Sequence, residues 1–543
     1  VSVNGDADGA ASIQIRTNRP ASGTWQICDA DGHVRAHGAF HDTQHADITT
    51  YVVDVRPWSP QTPVQYTLHV ALATGATHRV RFGFRTLTVR GTQLWLNGNP
   101  LYPRMVLSWG WYPDRHTPTP SAAQIRADFA QLQAMGFNGV KVCLWVPPAE
   151  YLDIADEMGM VVWLELPMWL PQPTPDFDAQ TTREYTAIVM QVRNHASVLL
   201  YTIGCELNRR VRGDLLQALY TLVKALVPGA LVRDNSGSGE AYGGFIEEYA
   251  DFYDYHFYSE PHFFPLMVER FLPQWRTTQP WLFGEYADYD TLRLPMDPDA
   301  DTTPWWGQAS RAVNPQGARW QMDVPHHYQR ALRQGLRDQL PAWRQLSHAH
   351  GALIRQMMLE QTRLYPHVSG YVVTGERDTP ISTAGVLDDA GVPKFAATRW
   401  RQWNDDMVVL LAWDRQREWV HGGDRPAYCE THCYMGGQVL RTHVVLANHT
   451  AHAGTAQFKW ALTNEQLRTT VARGEGTTRT PVAAGGVSGI HMLDIQLPQV
   501  AHPCELHLTV QVTLADVVAQ NSWECYLFPS VMWMHEHPLC CYD

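Results

Sequence analysis

The chain has 543 residues, 45% of them hydrophobic and 18% charged, with a net charge of −12. This is globular composition at a length of roughly three to four domains, and it excludes a disordered or collagen-like chain. An acidic chain of this size grips a polyanion poorly, and no apolar run reaches the about 18 residues of a transmembrane helix, so neither nucleic acid nor a membrane is the expected partner.

Residues 1–92 read as strands. SIQIRT, YVVDV, QYTLHVAL and HRVRFGFRTLTV alternate apolar and polar residues or are β-branched, between Gly, Asp and Pro turns. They predict a small immunoglobulin-like β-sandwich. Pro57, Pro60 and Pro63 cannot sit in a central strand and mark an edge or a linker. Helical spacing begins with SAAQIRADFAQLQAMG, where Ser121 is placed to cap the start and Gly136 to stop the end. Eight strand-like runs then fall at Tyr102–Leu107, Asn138–Trp145, Met160–Leu166, Val198–Glu206, Leu231–Asp234, Phe252–Tyr258, Trp281–Tyr286 and Gly370–Thr374. Further helices are predicted over Pro148–Met158, Gln180–Asn194, Leu215–Leu226, near Pro265–Trp275, over 324–363 and over Lys394–Asn404. No good helix is legible between Asn235 and Phe252. Alternation of this kind over residues 93–404 predicts a closed (β/α)8 TIM barrel. Residues 405–543 return to strands in VVLLAW, QVLRTHVVLAN, TAQFKWAL, HMLDIQL and ELHLTVQVTL, a second sandwich. The fold class is therefore multidomain, a barrel flanked by β-sandwiches.

Chemistry in such a barrel sits where strands end at their C-terminal side. The fourth strand runs into Glu206 and the seventh into Glu285. The third ends at Glu165, the eighth at Glu376 and Asp378, and the sixth offers His256 and Tyr258. A carboxylate at the end of an apolar strand needs a partner. One reading is an ion pair that locks a loop. The other is a pair of carboxyls facing across the mouth, one protonating a leaving oxygen while the other attacks an anomeric carbon.

The segments around these residues resemble glycoside hydrolase family 2. RNHASVLLYTIGCELN is similar to the segment around that family's acid/base glutamate, and PWLFGEYAD to its nucleophile segment. DIADEMGMVVWLELP, FGFRTLTVRGTQLWLNGNPLYPRMV, RPWSPQTPVQYTL and GVLDDAGVPK resemble further stretches, and the order is kept through residues 50–400. The resemblance implies that Glu206 is the general acid/base, Glu285 the nucleophile and Tyr258 a hydrogen-bond partner of the nucleophile. It implies a retaining exo-β-glycosidase, β-galactosidase-like, acting on terminal β-linked sugars of an oligosaccharide or glycoconjugate with no metal or organic cofactor. His256 is a candidate sugar contact.

Several positions depart from the family. Cys205 stands where the family has the Asn that binds the 2-hydroxyl, and a thiol is a weak hydrogen-bonding group. Asn208 is the candidate to compensate. Trp145 lies where β-galactosidases often carry a His-containing segment. The eighth strand lacks the usual Trp, and no Asn-x-Lys of the β-glucuronidase kind precedes GVLDD. Glu376, Arg377 and Asp378 either bind hydroxyls or close an ion pair. A catalytically inactive carbohydrate-binding protein and a transglycosylase are the rival functions, and a metal-dependent barrel hydrolase ranks below them.

The nine Cys form no dense framework, and the 21 Trp and 22 Tyr serve an aromatic core or sugar stacking. Cys429, His432 and Cys433 lack a second pair at zinc spacing and read as ordinary residues. HEHPLCCYD at the C-terminus is metal-like in composition alone, and Asn448-His449-Thr450 fits a glycosylation sequon. The opening VSVNGDADGA shows neither an initiator Met nor a signal-peptide pattern. Family members carry a sugar-binding β-domain ahead of the first sandwich, and these residues do not include it. A second copy of the chain, as a homo-oligomer, is the other candidate partner.

Overall fold

The computed structural model describes residues 1–237, 249–271, 279–294, 324–413, 417–420, 423–426 and 431–530. Cys429, the HEHPLCCYD tail, most of the stretch between Asn235 and Phe252, and the end of the helix expected near Pro265–Trp275 lie outside them. The chain forms two compact units, one of Val1–Gln361 with His367–Asn404, the other of Thr362–Pro366 with residues from Asp405 on.

The first unit opens with antiparallel strands β1 (Ser2–Gly5), β2 (Ala10–Cys28), β3 (Val34–Tyr51), β4 (Tyr66–Leu72) and β5 (Thr77–Phe82). The β2–β3 pairing shifts register between Arg16 and Gly23; β1 pairs with β2 before that bend and β4 after it. The sheet folds over there, Gly5 bridges to Phe84, and Ile13, Ile15, Trp25, Ile27, Leu68 and Phe82 fill one core. The proline segment forms no strand. Trp58 within it is fully buried and donates its indole N–H to Asp156 O at 2.9 Å. Arg85 donates to Ala196 O at 2.5 Å, Val198 O at 3.1 Å and His195 O at 3.3 Å, gripping the start of the strand that leads to Glu206. A small antiparallel sheet, β6 (Leu87–Arg90), β7 (Gln93–Leu96) and β8 (Asn99–Leu101), leads on to the barrel.

Eight parallel strands follow: β9 (Arg104–Ser108), β10 (Gly139–Val142), β11 (Val161–Glu165), β12 (Val198–Thr202), β13 (Leu231–Arg233), β14 (Tyr253–Phe257), β15 (Trp281–Tyr286) and β16 (Val368–Val373). Their sheet order is β13-β12-β11-β10-β9-β16-β15-β14. Between β13 and β14 the short β13 bonds instead to the backbone ahead of β14, through Asp234 N to Tyr249 O and Asp251 N to Val232 O, both 2.9 Å. The strands are buried nearly throughout, as expected where one face meets helices and the other the barrel interior.

The helices are α1 (Ala122–Ala134), α2 (Ala149–Met158), α3 (Phe177–Val192), α4 (Gly213–Leu226), α5 (Phe264–Phe271), α6 (Val324–Arg333), α7 (Leu340–Arg363) and α8 (Ala397–Arg401). Ser121 caps α1, its oxygen accepting from Gln124 N at 3.3 Å. Gly136 ends it with φ 88°, where a Cβ would meet Asn404 O at 1.7 Å.

Several expected elements are shorter or broken; the strand expected over Asn138–Trp145, for one, covers only Gly139–Val142. The run 324–363 divides at Gly335, whose φ of 72° breaks the helix. The helix expected over Lys394–Asn404 covers only Ala397–Arg401, because Lys394 is held by Asp378, Thr291 and Thr383. The fourth strand ends at Thr202 and not at Glu206, which sits in a left-handed turn with φ 51°.

The second unit has two facing antiparallel layers. One comprises β17 (Met407–Ala412), β21 (Val439–Asn448) and β24 (Gly486–Gln496). The other comprises β20 (Cys433–Met435), β22 (Ala456–Asn464), β23 (Thr469–Thr477), β25 (Cys504–Leu514) and β26 (Val517–Phe528), with β20 the one strand parallel to its neighbour. The short pair β18 (Arg417–Val420) and β19 (Gly423–Pro426) stands beside them in sequence. Val409, Leu446, Phe458, Leu462, Val510 and Trp523 share the core. Asn448 is fully buried, and its amide donates to His452 O and Ala483 O at 2.8 Å, which removes it as a glycosylation acceptor. Among the described residues no helix is long and apolar enough to cross a membrane.

Candidate active site

Beyond β12 the chain turns through Gly204, Cys205 and Glu206. Four backbone bonds fix the turn: Cys205 N to Met168 O, Glu206 N to Ser236 O, Ser236 N to Gly204 O and Ile203 N to Arg233 O, at 2.8–2.9 Å. A left-handed backbone at a non-glycine residue is costly and persists where its surroundings over-determine it. The turn aims the Glu206 carboxylate at the barrel mouth. Its Oε2 accepts the Trp169 indole N–H at 3.0 Å, and its Oε1 lies 3.0 Å from His256 Nδ1.

Glu285 lies within β15, 8% exposed. The preceding Gly284 has no room for a side chain, since a Cβ there would lie 2.0 Å from Asp254 Oδ1. The Tyr258 hydroxyl donates to Glu285 Oε2 and contacts Thr374 Oγ1 at 3.3 Å. His256 Nδ1 is 3.7 Å from that same Glu285 oxygen. One imidazole nitrogen therefore spans both carboxylates, and the two oxygens are less than about 7 Å apart, the scale of a paired-carboxyl site.

The floor beneath them contains residues that strand-end reasoning missed. Lys141 points inward from β10, with Nζ 2.8 Å from Glu165 Oε2 and both side chains fully buried. It also donates to Ser236 Oγ at 2.7 Å. Ser236 in turn donates to Asp254 and contacts His256 Nε2 at 3.0 Å. One lysine inside the apolar run GVKV was the available signal for this cluster.

Burial raises the Glu285 pKa. His256 and Lys141 pull it back, Glu165 adds to the rise and the Tyr258 bond opposes it; the net direction is upward. Burial also works against charge on Lys141, but Glu165, Asp254 and Glu285 outweigh it and hold the ammonium well above the usual lysine range.

The other candidates are placed as follows. Glu165 is the buried partner of Lys141. Cys205 is 3% exposed, with its thiol hydrogen-bonded to that of Cys143. That bond pulls Cys143 down, yet burial prevails and pushes it up to about 12, so the pair stays as thiols. The Asn208 side-chain oxygen accepts from Arg210 N at 3.0 Å in its own loop. Trp145 is buried, donating to Ser108 O at 3.0 Å with its ring edge-on to Tyr151. Arg377 pairs with Asp128 at 2.8 Å and Asp378 with Lys394 at 2.7 Å, the ion-pair alternative for the eighth strand. Glu376 is buried beside them, and burial together with Asp128 pushes its pKa up to about 7. Cys205, His256 and Glu285 bring ligand atoms within 4.8 Å of one another, as do Cys143, Glu165 and Glu285, but the Lys141 ammonium at Glu165 already supplies a cation there. His432 contacts Thr431, and Cys433 is exposed.

A sequence profile described as "Glycosyl hydrolases family 2, TIM barrel domain" matches residues 87–292, and a domain of unknown function matches 438–529. A beta-galactosidase of an Arthrobacter species is 29% identical over 174 residues, 30% of this chain and 17% of that protein. A beta-galactosidase of Photobacterium profundum is 25% identical over 202 residues, 35% of this chain and 19% of that one. These matches thus span about a fifth of the relatives' length. Among solved structures, a beta-D-mannosidase from Dictyoglomus thermophilum aligns over 98% of this chain and 66% of its own, with TM-score 0.65 and 13% identity. Beta-glucuronidase 3 of Bacteroides uniformis aligns over 97% and 63%, with TM-score 0.57 and 15% identity.

Proposed function

We propose, for a chain whose barrel belongs to glycosyl hydrolases family 2, that it is a retaining exo-β-glycosidase working through Glu285 and Glu206. The observation that carries this reading is the convergence of both carboxylates on His256 Nδ1, at 3.0 and 3.7 Å.

In the first step Glu285 attacks the anomeric carbon and the bond to the leaving oxygen breaks, while Glu206 gives that oxygen its proton. In the second step Glu206 takes a proton from water, whose oxygen displaces Glu285 from the sugar. Glu285 has to be ionised to attack. Burial opposes this, which gives Lys141, His256 and Tyr258 their work in the ground state. The Trp169 ring, 56% exposed and anchored on Glu206, offers a flat surface on the leaving-group side.

A neutral, galactoside-like sugar is favoured over a uronic acid. Three buried cations of the barrel are already matched, Lys141 with Glu165, Arg377 with Asp128 and Lys394 with Asp378, and so are not held ready for a sugar carboxylate. The two relatives described above, both named beta-galactosidase, agree with this choice, while a putative beta-glucuronidase of Formosa agariphila, 26% identical over 203 residues, keeps the glucuronide in the test.

The test is a panel of aryl β-galactosides, β-mannosides and β-glucuronides, together with a 2-fluoro galactosyl trap. Turnover of the galactoside, a mass increase on the peptide containing Glu285, and a kcat loss on the order of ten-thousandfold in Glu285→Gln are expected. Labelling of another residue, or full activity in that variant, overturns the mechanism. Preferred cleavage of the glucuronide overturns the sugar assignment.

A further inference from the structure

Resting on the reading of Glu206 and Glu285 as the working pair, we propose that His256 is a positioning residue that shares a single proton with the acid/base Glu206, and that Ser236, Asp254 and Lys141 fix this arrangement from below. The argument is a count of hydrogens. A serine hydroxyl has one hydrogen and two acceptor sites. Ser236 directs its hydrogen to Asp254 Oδ2 and accepts from Lys141 Nζ at 2.7 Å. Its third contact, at 3.0 Å to His256 Nε2, must then be an N–H donated by the ring. In the neutral ring that tautomer leaves Nδ1 bare. Yet Nδ1 faces Glu206 Oε1 at 3.0 Å and Glu285 Oε2 at 3.7 Å. A bare nitrogen and a carboxylate oxygen repel at hydrogen-bond distance, so a proton lies between His256 and Glu206. Gly237, with φ +86°, lies against this side of the ring, where a Cβ would fall 2.8 Å from ring atoms.

The groups facing this proton are Glu206 after β12, Glu285 on β15, Asp254 on β14, Lys141 on β10 with its partner Glu165, the Cys205 thiol and the Tyr258 hydroxyl. Burial and Lys141 disfavour a charged ring, but Glu285, the bond to Glu206 and Asp254 outweigh them, so the His256 pKa lies above the ordinary value. The two residues therefore titrate as one unit. In glycosylation the shared proton passes to the leaving oxygen as its bond to the sugar breaks, leaving the Glu206 carboxylate opposite a bare Nδ1. The attacking water returns a proton to the pair in the second step.

The experiment measures kcat/KM against pH for wild type and His256→Gln, on a dinitrophenyl glycoside and on a phenyl glycoside. An amide N–H stabilises the Glu206 carboxylate, so the basic limb should move down by about one pH unit or more. The phenyl substrate, which needs the proton, should lose on the order of a hundredfold, and the dinitrophenyl substrate less than about threefold. Equal losses on both substrates with unmoved limbs overturn the proposal and leave His256 a packing residue. Should His256→Gln fail to fold, Ser236→Ala carries the same test, with a shift in the same direction. If wild type hydrolyses neither substrate, the proposed function fails, and nitrogen NMR of labelled histidine decides the present inference separately. An Nε2–H signal absent from the His256 variant, paired with an Nδ1 shift that moves in Glu206→Gln, supports it. A neutral Nδ1–H ring overturns it.

Discussion

Two groups of carboxylates lie in the same barrel, and they differ in what neutralises them. Around β16, Asp128 faces the Arg377 guanidinium and Asp378 the Lys394 ammonium, charge against charge at 2.8 and 2.7 Å. At the mouth beyond β12 and on β15, Glu206 and Glu285 face an imidazole, an indole N–H and a phenol. Partners of the second kind hold a carboxylate through hydrogens, one of which can be exchanged. Asp378 and Glu206 both follow barrel strands, so that position alone cannot separate a carboxylate proposed to work from a locking one. The chemistry of the partner can.

The widest break in the comparison comes from Arg377→Met. It leaves Asp128 buried without its cation, at a cost of about 3–5 kcal/mol. Thermal unfolding should show a large loss of Tm, while the folded fraction keeps the wild-type pH profile; a shifted profile would merge the two groups. The next effect is read on the pH profile of the folded fraction of Lys141→Met. Burial already raises Glu285, and the lysine opposes that rise. Its removal should move the acidic limb of kcat/KM up by about one pH unit, since Glu285 in its proposed role as nucleophile must lose its proton to attack. A downward or absent shift would show that the ammonium serves only Glu165. The mildest test is Glu376→Gln. With its folded pKa raised to about 7, this residue contributes stability that is full below its unfolded value and lost as pH rises through 7. The variant should flatten the fall of Tm between about pH 5 and about pH 8, and an unchanged slope would place the proton elsewhere.

Much of this was legible in the sequence, for physical reasons. Barrel strands are buried on both faces, so runs such as VLLYT and WLFGEY stand out, and the ionisable residues at their ends are few enough to inspect. Glu206, Glu285, His256 and Tyr258 came from that inspection. Lys141 escaped because it lies inside a strand, and its partner Glu165 is on the neighbouring strand, brought beside it only by the parallel register of β10 and β11. The Cys143–Cys205 contact joins residues far apart in the chain, and no local pattern announces it. The helix over Lys394–Asn404 was overextended because apolar spacing takes no account of a lysine tied to three distant oxygens.

The grip of Arg85 on the backbone of His195, Ala196 and Val198 bears on how short a working fragment can be made. A barrel excised at residue 93 would keep every residue of the mouth. It would also leave three carbonyls unanswered beneath the strand that leads to Glu206, and Asp156 O without the Trp58 indole. A trimmed chain should therefore begin upstream of Trp58, and the leading β-sheet is best treated as a splint for the strand that leads to Glu206, not as an appendage.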